Sequence, residues 1–274
     1  AVYDAMIAKY DADPAATQRE QVAGSLLEKS VLLGGLKRKE EAIGASDALI
    51  AKYDADPAAA LRERVAKATR NKGLKLGELQ RNEEAIAVYD ALIAKYDADP
   101  AATQRERVSG AMLNKGIKLG DLNRNEEAIA VYDDLIVKYE QDTTAALRER
   151  VAQAQNSKGC RLLCLAKREW DDAAMPKNFL SQAHHLFEQA LMAMPDSAMV
   201  LGNLAYSAWL QGDAAVAESM FVASLSAPAG GIAIYEALLG DLDIHPVPID
   251  AEFRALMDRC WAQFGGDKGT EKSA

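Results

Sequence analysis

One stretch of about 43 residues recurs in this chain almost letter for letter, and that recurrence limits the fold more than any other feature. ALIAKYDADPAA stands at 48–59 and again at 91–102, and RNEEAIAVYD at 81–90 and 124–133. Tyr10, Tyr53, Tyr96 and Tyr139 mark the step. A period in this range is the signature of a solenoid, which grows by stacking one supersecondary unit on the next. A hydrophobic content of 49% is ample for a continuous core, and with only 6% aromatics that core must be built from Ala, Leu, Val and Ile.

Within 54–96 the wording is that of a helical hairpin. Asp56 reads as an N-cap and Pro57 as the first helical residue, where its missing N–H is harmless. Leu61, Val65, Ala68, Gly73, Leu76 and Leu79 then follow the three-and-four spacing of one helical face. The spacing predicts a first helix of roughly 23 residues, about 35 Å long. Gln80 and Arg81 make the turn, Asn82 caps a second helix, and Glu83 and Glu84 favour its N-terminal dipole. Its apolar face is Ala85, Ile86, Tyr89, Leu92, Ile93 and Tyr96. Neither face can be buried by one hairpin alone, so neighbours must stack.

The same reading divides the chain into repeats at 11–53, 54–96, 97–139 and 140–195, the last with an insertion near 166–177, and a shorter fifth repeat at 196–230. Two amphipathic helices in 231–265 are placed to cap the open end, and 266–274 is a polar, disordered tail. AVYDAMIAKY matches 87–96, so residues 1–10 read as the truncated second helix of an upstream repeat.

The fifth repeat carries recognisable wording. Leu201, Leu204, Ala205, Ala208, Gly212, Ala217, Phe221 and Ser224, with Ala183, Phe187, Ala190 and Pro195 before them, fall at tetratricopeptide spacing. Gly73, Leu76, Ala85 and Tyr89 fit the pattern, as do Gly116, Leu119, Ala128 and Tyr132. Residues 11–227 thus resemble a bacterial-type tetratricopeptide repeat array whose first helices are extended by about two turns; a Sel1-like array is the alternative α-solenoid. The resemblance implies an all-α, right-handed superhelix of stacked hairpins. Lys72, Lys115 and Lys158 depart from it, standing where the family carries a large apolar residue.

The resemblance also implies a concave groove lined by first helices. In this register its positions are Leu27, Arg70, Leu113 and Asn156; Glu28, Asn71, Asn114 and Ser157; and Val31, Leu74, Ile117, Cys160 and Tyr206. These positions vary between near-identical repeats more than the packing stripe does, as expected where each repeat meets a different part of a partner. Gly73 and Gly77, four apart on one helix, read as a strip that admits a close neighbour. The column Lys29, Lys72, Lys115 and Lys158 is expected to pair with the glutamates at 40/41, 83/84 and 126/127, its stems covering apolar surface. Cys160, Cys164, His184 and His185 could in principle hold zinc, but the short knuckle spacing is missing, and buried small hydrophobes explain the cysteines better.

A net charge of −9 argues against nucleic acid or an anionic membrane as partner. No apolar run approaches the ~18 residues that span a bilayer. Three cysteines make no disulfide framework, which with no signal-peptide pattern points to the cytoplasm. Phosphate-loop, nucleophile-elbow and zinc-protease motifs are missing, so neither catalysis nor a cofactor is expected. The expected function is a non-enzymatic scaffold that holds a protein or peptide segment in its groove. A peptide-sensing regulatory domain and a module that self-associates through exposed repeat ends are the alternatives.

Overall fold

The computed structural model describes residues 2–10, 15–170 and 177–265, and among these are thirteen α-helices and no strand. They are α1 (Val2–Tyr10), α2 (Ala16–Gly35), α3 (Lys39–Tyr53), α4 (Ala59–Glu78), α5 (Asn82–Tyr96), α6 (Ala102–Asp121), α7 (Asn125–Tyr139), α8 (Ala145–Arg168), α9 (Lys177–Ala193), α10 (Ala198–Leu210), α11 (Ala214–Ser226), α12 (Ile232–Asp243) and α13 (Asp250–Gln263). The chain forms two compact units, divided within α7 between Val131 and Tyr132. The expected tail at 266–274 and the middle of the expected insertion, 171–176, lie outside the described residues. The insertion's first residues continue α8, which reaches Arg168.

In the first unit, each 20-residue helix packs on the short helices before and after it: α2 on the 9-residue α1 and the 15-residue α3, and α4 on the 15-residue α3 and α5. The long helices also touch one another in sequence, α2 with α4 and α4 with α6.

The long helices are shorter than their spacing predicts. α4 begins at Ala59, not beside Pro57. Proline pushes the residue before it out of the helical region, so Asp56 cannot lead directly into a helix. Its Oδ1 instead accepts the Ala58 N–H at 2.9 Å and its Oδ2 receives the Arg19 guanidinium at 2.5 Å. Asp99 repeats both contacts with Ala101 and Arg62. Asn82 is not a cap either: it is the first residue of α5, buried, with Arg81 in the cap position. The cause is a tight turn closed by two bonds, Gln80 N–H to the Gly77 carbonyl and Arg81 N–H to that of Leu76. That geometry requires a left-handed residue, and Gln80 takes it at φ 61°.

Inside the α4–α5 hairpin the small residue of the long helix lies under a ring of the short one. A Cβ on Gly73 would come 2.6 Å from Cε1 of fully buried Tyr89. The first hairpin replaces this pair with Ser30 and Ser46, whose hydroxyls are 2.7 Å apart. Gly77 serves a different neighbour: its missing Cβ leaves room for the Lys118 stem of the next long helix, 2.9 Å away, as Gly34 does for Lys75.

The lysine column pairs with aspartates rather than the expected glutamates. Lys29 reaches Asp4, Lys72 reaches Asp47 and Lys115 reaches Asp90, each at 2.5–2.6 Å on the preceding short helix. The glutamates are already held by arginine: Arg81 grips Glu84 and reaches back to Glu40, and Arg124 treats Glu127 and Glu83 alike. Single surface pairs of the Lys72–Asp47 kind contribute about 0–1 kcal/mol. Their effect here is to fix the register of one hairpin on the next.

In the second unit, α8 packs on α9, and α10 contacts α8, α9, α11 and α12; α13 closes over α11 and α12. Gly159 lies under Phe187 as Gly73 lies under Tyr89, and Lys158 reaches Asp133 at 2.5 Å. α10 and α11 are 13 residues each, joined by Gly212 at φ 87°. Leu238 of α12 rests on Gly202, where a Cβ would come within 2.8 Å.

Candidate functional site

The open face of the long helices in the first unit carries most of the residues singled out by register. Leu27 of α2, Arg70, Asn71 and Leu74 of α4, and Asn114 of α6 are half-buried, while Glu28, Val31 and Ile117 are exposed. Leu113 is an exception. It is only 6% exposed, which leaves almost no surface for a partner.

Charge bookkeeping along α4 separates Arg70 from its neighbours. Arg62 pairs with Asp99, Arg64 with Glu20, Lys67 with Glu63, Lys72 with Asp47 and Lys75 with Glu78. Among the described residues, Arg70 is the one cation of α4 without an ion pair, and Asn71 and Asn114 carry no side-chain hydrogen bond. Arg70 does act on Tyr89. Burial pushes that phenol up to about 12, and the nearby guanidinium opposes the rise. The Tyr89 hydroxyl is itself buried with no hydrogen-bond partner. The face therefore presents one uncompensated guanidinium, two unmatched amides and the apolar Leu27, Leu74 and Ile117. Among the described residues this set contains no nucleophile–base pair.

The remaining register positions lie in the second unit, where Asn156, Cys160 and Tyr206 have partners within the chain and Ser157 is half-buried. Asn156 accepts a bond from Asn203 Nδ2 at 2.9 Å, and the same nitrogen lies 3.3 Å from Cys160 Sγ. Tyr206 is buried with its ring 5.1 Å from that of Phe253, and it donates to Asp250 Oδ1 at 2.5 Å. Burial, then the Asp250 charge, hold its hydroxyl well above the ordinary phenol range. Asp250 Oδ2 takes the Val247 N–H at 2.9 Å and Lys167 Nζ at 3.0 Å, with both charged side chains under 5% exposed. Tyr206 is thus part of a buried lock between α8, α10 and α13, not a residue facing a partner. Register alone missed this because Asp250 lies 44 residues downstream, outside any repeat.

Cys160, Cys164 and Cys260 are free thiols, and burial pushes Cys160 up to about 12. His184 Nδ1 meets Ser207 Oγ at 2.9 Å, and His185 is exposed beside Glu188. Among the described residues no three His, Cys, Asp or Glu side chains are grouped to hold a metal.

No protein-family profile matches the sequence, and no curated protein matches it. Solved structures do. A tetratricopeptide repeat protein from Parabacteroides merdae matches with a TM-score of 0.57 at 13% identity, over 97% of this chain and 85% of that one. The fold is that of the tetratricopeptide repeat proteins. The pilF protein of Pseudomonas aeruginosa shares it with a TM-score of 0.55 at 14% identity, over 90% of this chain and 98% of its own. MamA from Desulfovibrio magneticus RS-1 does so with a TM-score of 0.50 at 13% identity, over 74% and 93%. At these identities the likeness is one of fold, so the chain is an all-α tetratricopeptide solenoid whose site must be argued from its own residues. Among the described residues no helix is long and apolar enough to cross a membrane.

Proposed function

We propose that the chain is a non-enzymatic, cytoplasmic scaffold that binds a segment of another protein along the open face of α2, α4 and α6. The carrying observation is Arg70, left without an ion pair on a helix whose five other cations all have one. A charged group without a partner on an otherwise matched surface is available to an acceptor from outside. Asn71 and Asn114 supply amides for a backbone, and Leu74 and Ile117 supply apolar contact. The repeat boundaries 11–53, 54–96 and 97–139 belong to the same proposal, with one hairpin presenting one set of contacts.

The test is affinity capture from the native organism, read by mass spectrometry, with the wild-type chain and with Arg70→Glu/Asn114→Ala. The reading requires that a protein captured by the first is lost from the second. Equal recovery on both would sink it.

A second reading, self-association, has an observation of its own. Met6 of α1 is 37% exposed, whereas Leu92, its counterpart in α5, is 1% exposed. Sedimentation over a range of concentrations decides it: a constant monomer removes the idea.

A further inference from the structure

In the second unit α8, α10, α12 and the start of α13 enclose a pocket of about 130 Å³. Its walls are apolar, with Leu163, Leu238, Leu242 and Phe253 as the main surfaces. An apolar cavity of ~150 Å³ holds a benzene molecule, so this space suits one medium-sized aliphatic or aromatic side chain.

Its polar groups are balanced and partly unmatched. Arg161 and Lys167 face it, as does Asp241, and Asp250 lies behind Lys167 in the buried pair. Two cations thus stand against two carboxylates, and a charged ligand would upset the balance. Among the described residues neither Arg161 nor Asp241 has an ion pair or a side-chain hydrogen bond. Asn203 spends its NH₂ on Asn156 and Cys160, which leaves its Oδ1 as an acceptor. The rim therefore offers donors from Arg161 and acceptors from Asn203 and Asp241, the complement of an amide.

We infer that this pocket is an anchor site for an uncharged stretch of polypeptide. A Leu-, Met- or Phe-sized side chain fills it, the adjoining amide N–H is accepted by Asn203 or Asp241, and the adjoining carbonyl accepts from Arg161. The inference rests on the protein-binding reading above but uses different helices.

The probe is N-acetyl-phenylalaninamide, titrated into the full chain and followed by amide chemical shifts. Saturable shifts are expected at Asn203, Leu238 and Leu242, with a dissociation constant on the order of 1 mM. The anionic N-acetyl-phenylalanine and the cationic phenylalaninamide should bind about fivefold more weakly, because either leaves a charge unbalanced. Cys164→Phe, which fills the space, should abolish binding, and Arg161→Gln, which breaks no ion pair or hydrogen bond but withdraws a positive charge from beside Asp241, should weaken it about threefold. No saturable shift at these amides, a charged analogue that binds better, or binding indifferent to Arg161→Gln would overturn the inference. A silent pocket beside intact capture by the α4–α6 face removes the anchor alone. A saturable pocket beside failed capture leaves the anchor standing and removes the reading of that face.

Discussion

Gly73 lies directly beneath the ring of Tyr89, so close that a single added methyl would sit 2.6 Å from Cε1. Tyr89 is fully buried and has nowhere to move. Gly73→Ala should therefore lose about 1–3 kcal/mol to overpacking, more than the ~1 kcal/mol of helix propensity it gains. Gly77→Ala meets only the flexible end of Lys118 and should be neutral or stabilising. Urea midpoints of the two variants make the comparison. A Gly73→Ala variant as stable as wild type would contradict the packing.

The Ser30–Ser46 pair shows how the two positions can change together. In a double-mutant cycle, Gly73→Ser/Tyr89→Ser should be more stable than the sum of its single changes, with a coupling of about 0.5–3 kcal/mol. Additive effects would mean that the two sites do not share a contact.

Gln80 holds a left-handed conformation at φ 61°, where Gly212 stands in the corresponding turn between α10 and α11. Relieving the Cβ clash should let Gln80→Gly stabilise the chain by about 0.5–1 kcal/mol. Thermal unfolding measures it, and a lower midpoint would show that the glutamine side chain has a contact of its own.

Lys167 and Asp250 are buried together, and Asp250 also serves Tyr206 and Val247. Removing one partner leaves a buried charge, so Asp250→Ala should cost about 3–5 kcal/mol. Lys167→Met/Asp250→Asn removes both charges and should recover at least half of that loss. A double variant as unstable as Asp250→Ala would place the cost elsewhere.

Burial raises the Cys160 thiol to about 12. The thiolate is the reactive form, so at pH 8 alkylation should be roughly a thousandfold slower than for a thiol with the ordinary value. The rate should keep climbing as pH rises toward 12. Mass-spectrometric timing of iodoacetamide labelling at Cys160 reads this directly, and ordinary reactivity at pH 8 would contradict it.

The fold was legible because its information is local and repeated. The stripe Leu61, Val65, Ala68, Gly73 and Leu76 is buried, as is Ala85, Ile86, Tyr89, Leu92 and Tyr96. Cap assignments at Asp56 and Asn82 failed because neighbours move the helix starts: Pro57 keeps Asp56 out of the helix, and the turn at Gln80 puts Arg81 in the cap position and Asn82 inside α5. The lysine column was legible as structural, but its partners were not. Helical spacing shows which residues share a face, not which acid on the preceding hairpin comes nearest. Of the residues on the proposed face, Arg70, Asn71, Leu74 and Asn114 keep accessible surface, as helical spacing leads one to expect. Tyr206 and the pocket beside it were not, because they depend on Lys167, Leu238 and Asp250, which follow no common period.

The central claim is that the α4–α6 face binds, and Arg70 is its sharpest test. Calorimetric titration of a captured partner against wild type and Arg70→Glu, with unfolding midpoints taken in parallel, isolates the interaction. The account predicts affinity lowered about tenfold or more, near 1.4 kcal/mol, with stability unchanged. Equal affinity for the two proteins would contradict it.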